Sequence, residues 1–123
     1  DGFVIYYRPE ALARLYSRGR VSVNRAVLHM VLHCLFCHMD TRGRRDPWLW
    51  NLACDIAVES VMDGLYLKCV HSPASLFRRD WYGRLGRQLK VLNAEGVYHT
   101  LGNMDLSGKQ LERLAAEFYV DDH

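Results

Sequence analysis

The hydrophobic and polar positions divide the chain into helix-length blocks with one exception at the start. Phe3-Val-Ile-Tyr-Tyr7, β-branched and aromatic behind Asp1-Gly2, predicts a short strand. Pro9 suits a first helical turn, so a helix is expected over 10 to about 16, closed by Gly19. Ser22 or Asn24 is placed to cap a second helix running to about 39. A polar loop over 40–46 contains Gly43 and ends in Asp46-Pro47, a cap and first-turn pair that opens a third helix to about 62, with Gly64 behind it. The chain breaks at 71–73. A helix is expected over 74–92 with weak points at Gly83 and Gly86, and a short one over 94–101. Ser107-Gly-Lys-Gln110 matches a capping box and opens a last helix through about 119. The pattern predicts one mainly α (α+β) domain over 1–123, with a short N-terminal strand or small sheet.

Two blocks are unusual. Residues 26–37 read AVLHMVLHCLFC, apolar except for His29 and His33. A helix apolar on every side is expected to be buried. The two histidines stand four apart, which stacks both imidazoles on one face, about 5–6 Å apart at Cβ. Residues 48–62 read WLWNLACDIAVESVM, where Asn51, Asp55 and Glu59 fall four apart as one polar stripe. Two buried helices joined by a short loop pack antiparallel, so the stripes are expected to face each other. Buried polar groups need partners. One ion shared by two histidines and a carboxylate supplies them, and that donor set with an open position is a catalytic zinc set. Asp55 lies mid-stripe and is the expected third ligand. Glu59 is the candidate base and His38 the alternative ligand. His38 sits on the opposite face unless the helix ends near Phe36. A metal-free polar network pinning the two helices is the competing reading.

Composition changes this picture little. The net charge of +2 over 123 residues does not by itself point to nucleic acid, and no apolar run reaches a membrane-spanning length. Four cysteines in mostly apolar helical contexts suggest a reduced, cytoplasmic protein. Cys34-Leu-Phe-Cys37 lacks the second pair that a zinc-finger site requires. Arg42, Arg44 and Arg45 crowd one loop, and Arg78, Arg79, Arg84, Arg87 and Lys90 make a basic helix that reads as a solvated face. His71 and His99 fall in expected loops, and Asp121-Asp122-His123 in an expected frayed tail.

His29-Met-Val-Leu-His33-Cys-Leu-Phe-Cys-His38 followed by Trp50-Asn-Leu-Ala-Cys-Asp-Ile-Ala-Val-Glu59 resembles the putative metallopeptidase domain of bacteria, which precedes a von Willebrand A-like domain. Tyr6-Tyr-Arg-Pro9 and Phe118-Tyr-Val-Asp-Asp-His123 share the likeness. The resemblance implies a zincin-like helical fold, zinc at His29 and His33, an acidic partner at Asp55, and a C-terminal partner domain. The start at Asp1 and the ending on His123 likewise lead us to expect a piece of a longer chain. One position departs from the HExxH signature: Met30 stands where the general-base Glu belongs. Two functions follow as expectations. One is a zinc-dependent, peptidase-like hydrolase with Glu59 as substitute base and the N-terminal strand pairing with an extended peptide. The other is a non-catalytic zincin-like scaffold or interaction module. Nucleic-acid hydrolysis is less favoured, because the third-histidine spacing of helical HxxxH ribonuclease-like proteins is missing.

Overall fold

The computed structural model describes residue 4 and residues 6–36 and 43–119. These form six helices: α1 (Pro9–Ser17), α2 (Arg20–Leu35), α3 (Pro47–Asp63), α4 (Leu76–Gly86), α5 (Ala94–Asn103) and α6 (Gly108–Phe118). Among the described residues there is no strand, which corrects the expectation for 3–7. Val4, Tyr6 and Tyr7 are all strongly exposed. Strand propensity is realised only when a neighbouring strand takes the backbone hydrogen bonds, and none is present among the described residues. His38 and Cys37 fall outside the described residues, as do Arg42 and Asp121-Asp122-His123.

Local chemistry sets most helix starts. The Asp46 carboxylate accepts from the Leu49 amide at 2.8 Å, with Pro47 at the first helical position. Ser75 and Asn93 cap α4 and α5 in the same way. Ser107 and Gln110 exchange both bonds of a capping box. The start of α2 differs from expectation. It begins directly after Gly19, and Ser22 and Asn24 lie inside it. Asn24 instead donates its side-chain amide to the Cys69 carbonyl at 2.8 Å, a tertiary partner that sequence spacing cannot show. The expected helix over 74–92 is shorter, stopping at Gly86.

α3 is the centre of the fold. It packs against α2, α5 and α6, and it belongs to all three apolar clusters. Leu52, Ala53 and Ile56 meet Trp81 and Leu85 of α4, Val97 and Leu101 of α5, and Leu114 and Phe118 of α6. Trp50, Cys54 and Ala57 meet Ala94, while Val58 and Met62 meet Leu32 of α2. This matches the expectation that α3 is buried. α2 does not match its own. Only Ala26, His29 and Leu32 are buried, and Val27, Leu35 and Phe36 face outward. Composition marks a helix as able to be buried, but neighbours decide it, and α1 and α3 are the described elements packed most against α2. Among the described residues no helix is long and apolar enough to cross a membrane.

The joint between α1 and α2 requires glycine, because Gly19 has φ +121° and ψ 159°, a region closed to side chains. Gly19→Ala is expected to lower stability by about 1–3 kcal/mol in urea unfolding. Gly83 lies inside α4 with open space around its Cα, so Gly83→Ala is expected to raise stability by about 0.5–1 kcal/mol.

Candidate metal centre

α2 and α3 run antiparallel, as their side-chain pairing shows. Arg25 meets Asp63, His29 meets Glu59, and His33 meets Asp55, so one numbering rises as the other falls. Each set repeats every four residues along one helix face. The expected facing stripes therefore exist, shifted by one turn. Asn51 is exposed and takes no part, while Arg25 and Asp63 join at the other end. Extending the four-residue period by one step on each helix would have found both.

His29 is the innermost member, with no exposed surface. Its Nδ1 lies 3.1 Å from Glu59 Oε2. Burial works to raise the Glu59 pKa, but the bond from His29 and the charge of Arg78 outweigh it, and the carboxyl stays below its usual range. An ionised carboxylate only accepts, so Nδ1 carries the proton of this bond, and Nε2 is the nitrogen that faces His33 and Asp55. That Nε2 lies 2.8 Å from His33 Nε2 and 3.3 Å from Asp55 Oδ1, and the His33–Asp55 distance is 3.1 Å. Asp55 is also held below its ordinary pKa. Burial opposes its charge, and hydrogen bonds from His29 and His33 prevail.

Two imidazole nitrogens and a carboxylate oxygen thus converge, all within 4.8 Å of one another, as a set that could hold a metal ion. Bonds of about 2.0–2.1 Å to a tetrahedral ion separate its ligand atoms by about 3.3 Å. The observed triangle of 2.8–3.3 Å needs only a slight opening to fit. The side chains of His33 and Asp55 keep 15% and 19% exposure, so the triangle opens to solvent on their side and is sealed on that of His29.

Behind His29 lies a second layer of charge. Glu59 Oε1 accepts from Arg78 Nη1 at 3.0 Å and lies 3.7 Å from Arg25. Asp63 accepts from Arg25 at 2.6 Å, from Arg78 at 3.2 Å, and from the Tyr82 hydroxyl at 2.6 Å. Two arginines balance two carboxylates in this layer, which leaves the Asp55 charge to the triangle. Arg78 was expected on a solvated basic face. It turns inward instead, while Arg84 on the same helix pairs with Asp80 at the surface. Nothing in the local pattern separates these two arginines.

The remaining candidates lie elsewhere. His71 approaches the Leu65 carbonyl and the Tyr66 ring, and His99 stands beside Tyr98. Arg45 covers the Trp50 ring at 4.6 Å. Cys54 is a buried thiol whose pKa is pushed up to about 12, first by burial and then by the charges of Asp55 and Glu95, so it stays protonated and unreactive. Cys34 is half-buried, Cys69 is exposed, and both are free.

The family described as "Putative metallopeptidase domain" matches residues 1–119, and the chain belongs to it. No curated protein and no solved structure matches the chain.

The buried and surface ion pairs predict different outcomes. Asp63→Ala removes one acceptor from each of Arg25, Arg78 and the Tyr82 hydroxyl and leaves the two arginines short of a buried counter-charge, which is expected to cost about 3–5 kcal/mol in urea unfolding. Arg84→Ala, which removes an exposed pair, is expected to cost under about 0.5 kcal/mol.

Proposed function

We propose that this chain is a zinc-binding, peptidase-like metallohydrolase domain in which His29, His33 and Asp55 hold the metal. The observation that carries the reading is the commitment of His29 Nδ1 to Glu59. That bond takes up Nδ1, so Nε2 is the nitrogen that would bind a metal once its proton is displaced, and it points to where His33 Nε2 and Asp55 Oδ1 also meet. A carboxylate behind a metal-facing histidine is the recurring second layer of zinc sites. Family membership points the same way.

Each residue then has a role. His29 and His33 donate neutral nitrogens, and Asp55 supplies the negative charge that offsets a divalent ion. A divalent ion bound there supplies Lewis-acid chemistry, polarising a carbonyl and lowering the pKa of water towards neutrality. Glu59 orients His29. It fits poorly as the substitute base, because Oε2 is taken by His29 and Oε1 by Arg78, and its pKa is lowered rather than raised toward the working range of a base. Met30, half-buried next to His29, brings no proton acceptor. The exposed edges of His33 and Asp55 are the side from which a peptide carbonyl would arrive.

A second reading rests on those same two observations. With Met30 in the glutamate position and Glu59 fully engaged, the domain keeps its metal as a structural centre and serves as a non-catalytic module.

Metal analysis of the purified chain tests the binding. About one zinc per chain is expected, lost in His29→Ala and Asp55→Ala; much less than one in the unmutated chain overturns the metal reading. Glu59→Gln separates the roles of that residue. As orienting group, its loss is expected to weaken zinc binding about 10–100-fold by chelator competition. Unchanged affinity with collapsed peptide hydrolysis would restore Glu59 as base. Zinc at full occupancy with no hydrolysis of a mixed peptide library would favour the structural module.

A further inference from the structure

The charge layer behind the triangle joins helices that do not otherwise meet the site. Arg78 belongs to α4, yet its guanidinium is held by α6 as well as by α3. Nε and Nη2 donate to the Glu117 carbonyl at 3.3 and 3.0 Å, and the group stands 4.9 Å over the Phe118 ring. Its remaining bonds, from Nη1, reach Glu59 and Asp63 of α3. Ser75, the cap of α4, donates to the Glu117 carboxylate at 2.5 Å and tightens the same corner. A polar cleft of about 320 Å³, lined in part by Arg25, Glu59, Asp63, Ser75 and Arg78, lies beside this corner.

The contacts run in one direction. The end of α6 fixes the plane of the Arg78 guanidinium, through a carbonyl at its edge and a ring at its face. The guanidinium fixes Glu59 Oε1. The other oxygen of Glu59 fixes the His29 ring. A carboxylate that rotates about its Cδ presents Oε2 to His29 only if Oε1 is pinned, and the closest cation pinning it is Arg78, at 3.0 Å against 3.7 Å for Arg25. A planar fork is needed for this, since one group must bond Glu59, Asp63 and Glu117 together. A lysine ammonium is a point charge and spans fewer of them.

We propose that Arg78 is a positioning residue for the metal centre: it locks Glu59 against His29 and thereby couples the docking of α4 and α6 to metal affinity. The inference rests on the reading of His29, His33 and Asp55 as metal ligands. Coupling of this kind is reciprocal, so zinc must also strengthen the packing of α4 and α6.

The experiment measures zinc affinity by chelator competition, and ligand geometry by the visible absorption of the cobalt-substituted chain. It compares the unmutated chain with Arg78→Lys, Arg78→Met, Glu59→Gln and the double variant Arg78→Met/Glu59→Gln. Arg84→Ala on the outer face of α4 is the control. Arg78→Met is expected to weaken zinc about tenfold and to change the cobalt spectrum. Arg78→Lys is expected to recover part of the loss, and the control to match the unmutated chain. The double variant is expected to lose no more than Glu59→Gln alone, because both changes break one relay. If Arg78 serves packing only, its variants melt earlier but bind zinc as the unmutated chain does, and that result overturns the inference. Should Arg78→Met not fold, unaltered affinity and spectrum in Arg78→Lys overturn it equally. An unmutated chain that takes up no zinc overturns the metal reading itself, and this inference with it.

Discussion

The hydrogen bond from His29 Nδ1 to Glu59 is the constraint around which the site is arranged. It decides which nitrogen of a fully buried imidazole is committed to Glu59, and so which one faces His33 and Asp55. On that side two imidazole nitrogens and a carboxylate oxygen meet at 2.8–3.3 Å as a set that could hold a metal ion. The helices are spaced for this contact: α2 offers positions every four residues, and α3 answers with positions every four residues in the opposite direction.

The layer behind the triangle sharpens that account. Arg25 and Arg78 neutralise Glu59 and Asp63, and Tyr82 adds a neutral donor. Buried ion pairs of this kind are weak contributors to stability, because the cost of removing the charges from water offsets most of their attraction. A packed apolar layer would hold α2, α3 and α4 together as well. The ionic layer does what an apolar one cannot, which is to keep a carboxylate ionised and oriented inside the protein. The set of His29, His33 and Asp55 that could hold a metal ion lies directly in front of this layer.

Membership in a metallopeptidase-type family fits the donor set and sets it apart from the HExxH arrangement. There the base lies beside the first histidine on the same helix. Here that position is Met30, and the carboxylate nearest to His29 comes from the opposite helix and is bound at both oxygens. The two arrangements use a carboxylate differently: one for proton transfer, one for holding a histidine in place.

Much of this was legible in the chain itself. The four-residue spacing of His29 with His33 and of Asp55 with Glu59 put each pair on one helix face, because helical geometry is local. Asp46-Pro47 and Ser107 with Gln110 marked their helix starts for the same reason. The largely apolar character of α3 was enough to expect its burial. What lay beyond the sequence depended on neighbours distant along the chain. The segment 3–7 has strand-forming residues but no described partner to pair with. α2 has a buried composition but only one buried stripe, since nothing described covers its outer face. Asn51 was one turn away from the true stripe, and the register between α2 and α3 settled that. Arg78 and Arg84 are indistinguishable by local pattern, yet one is a buried junction of three helices and the other a surface pair. The sequence by itself determined which residues share a helix face, because that follows from 3.6 residues per turn. Only the tertiary structure decided which faces meet, in which register, and which of several like charges turned inward, because those depend on contacts between residues far apart in the chain.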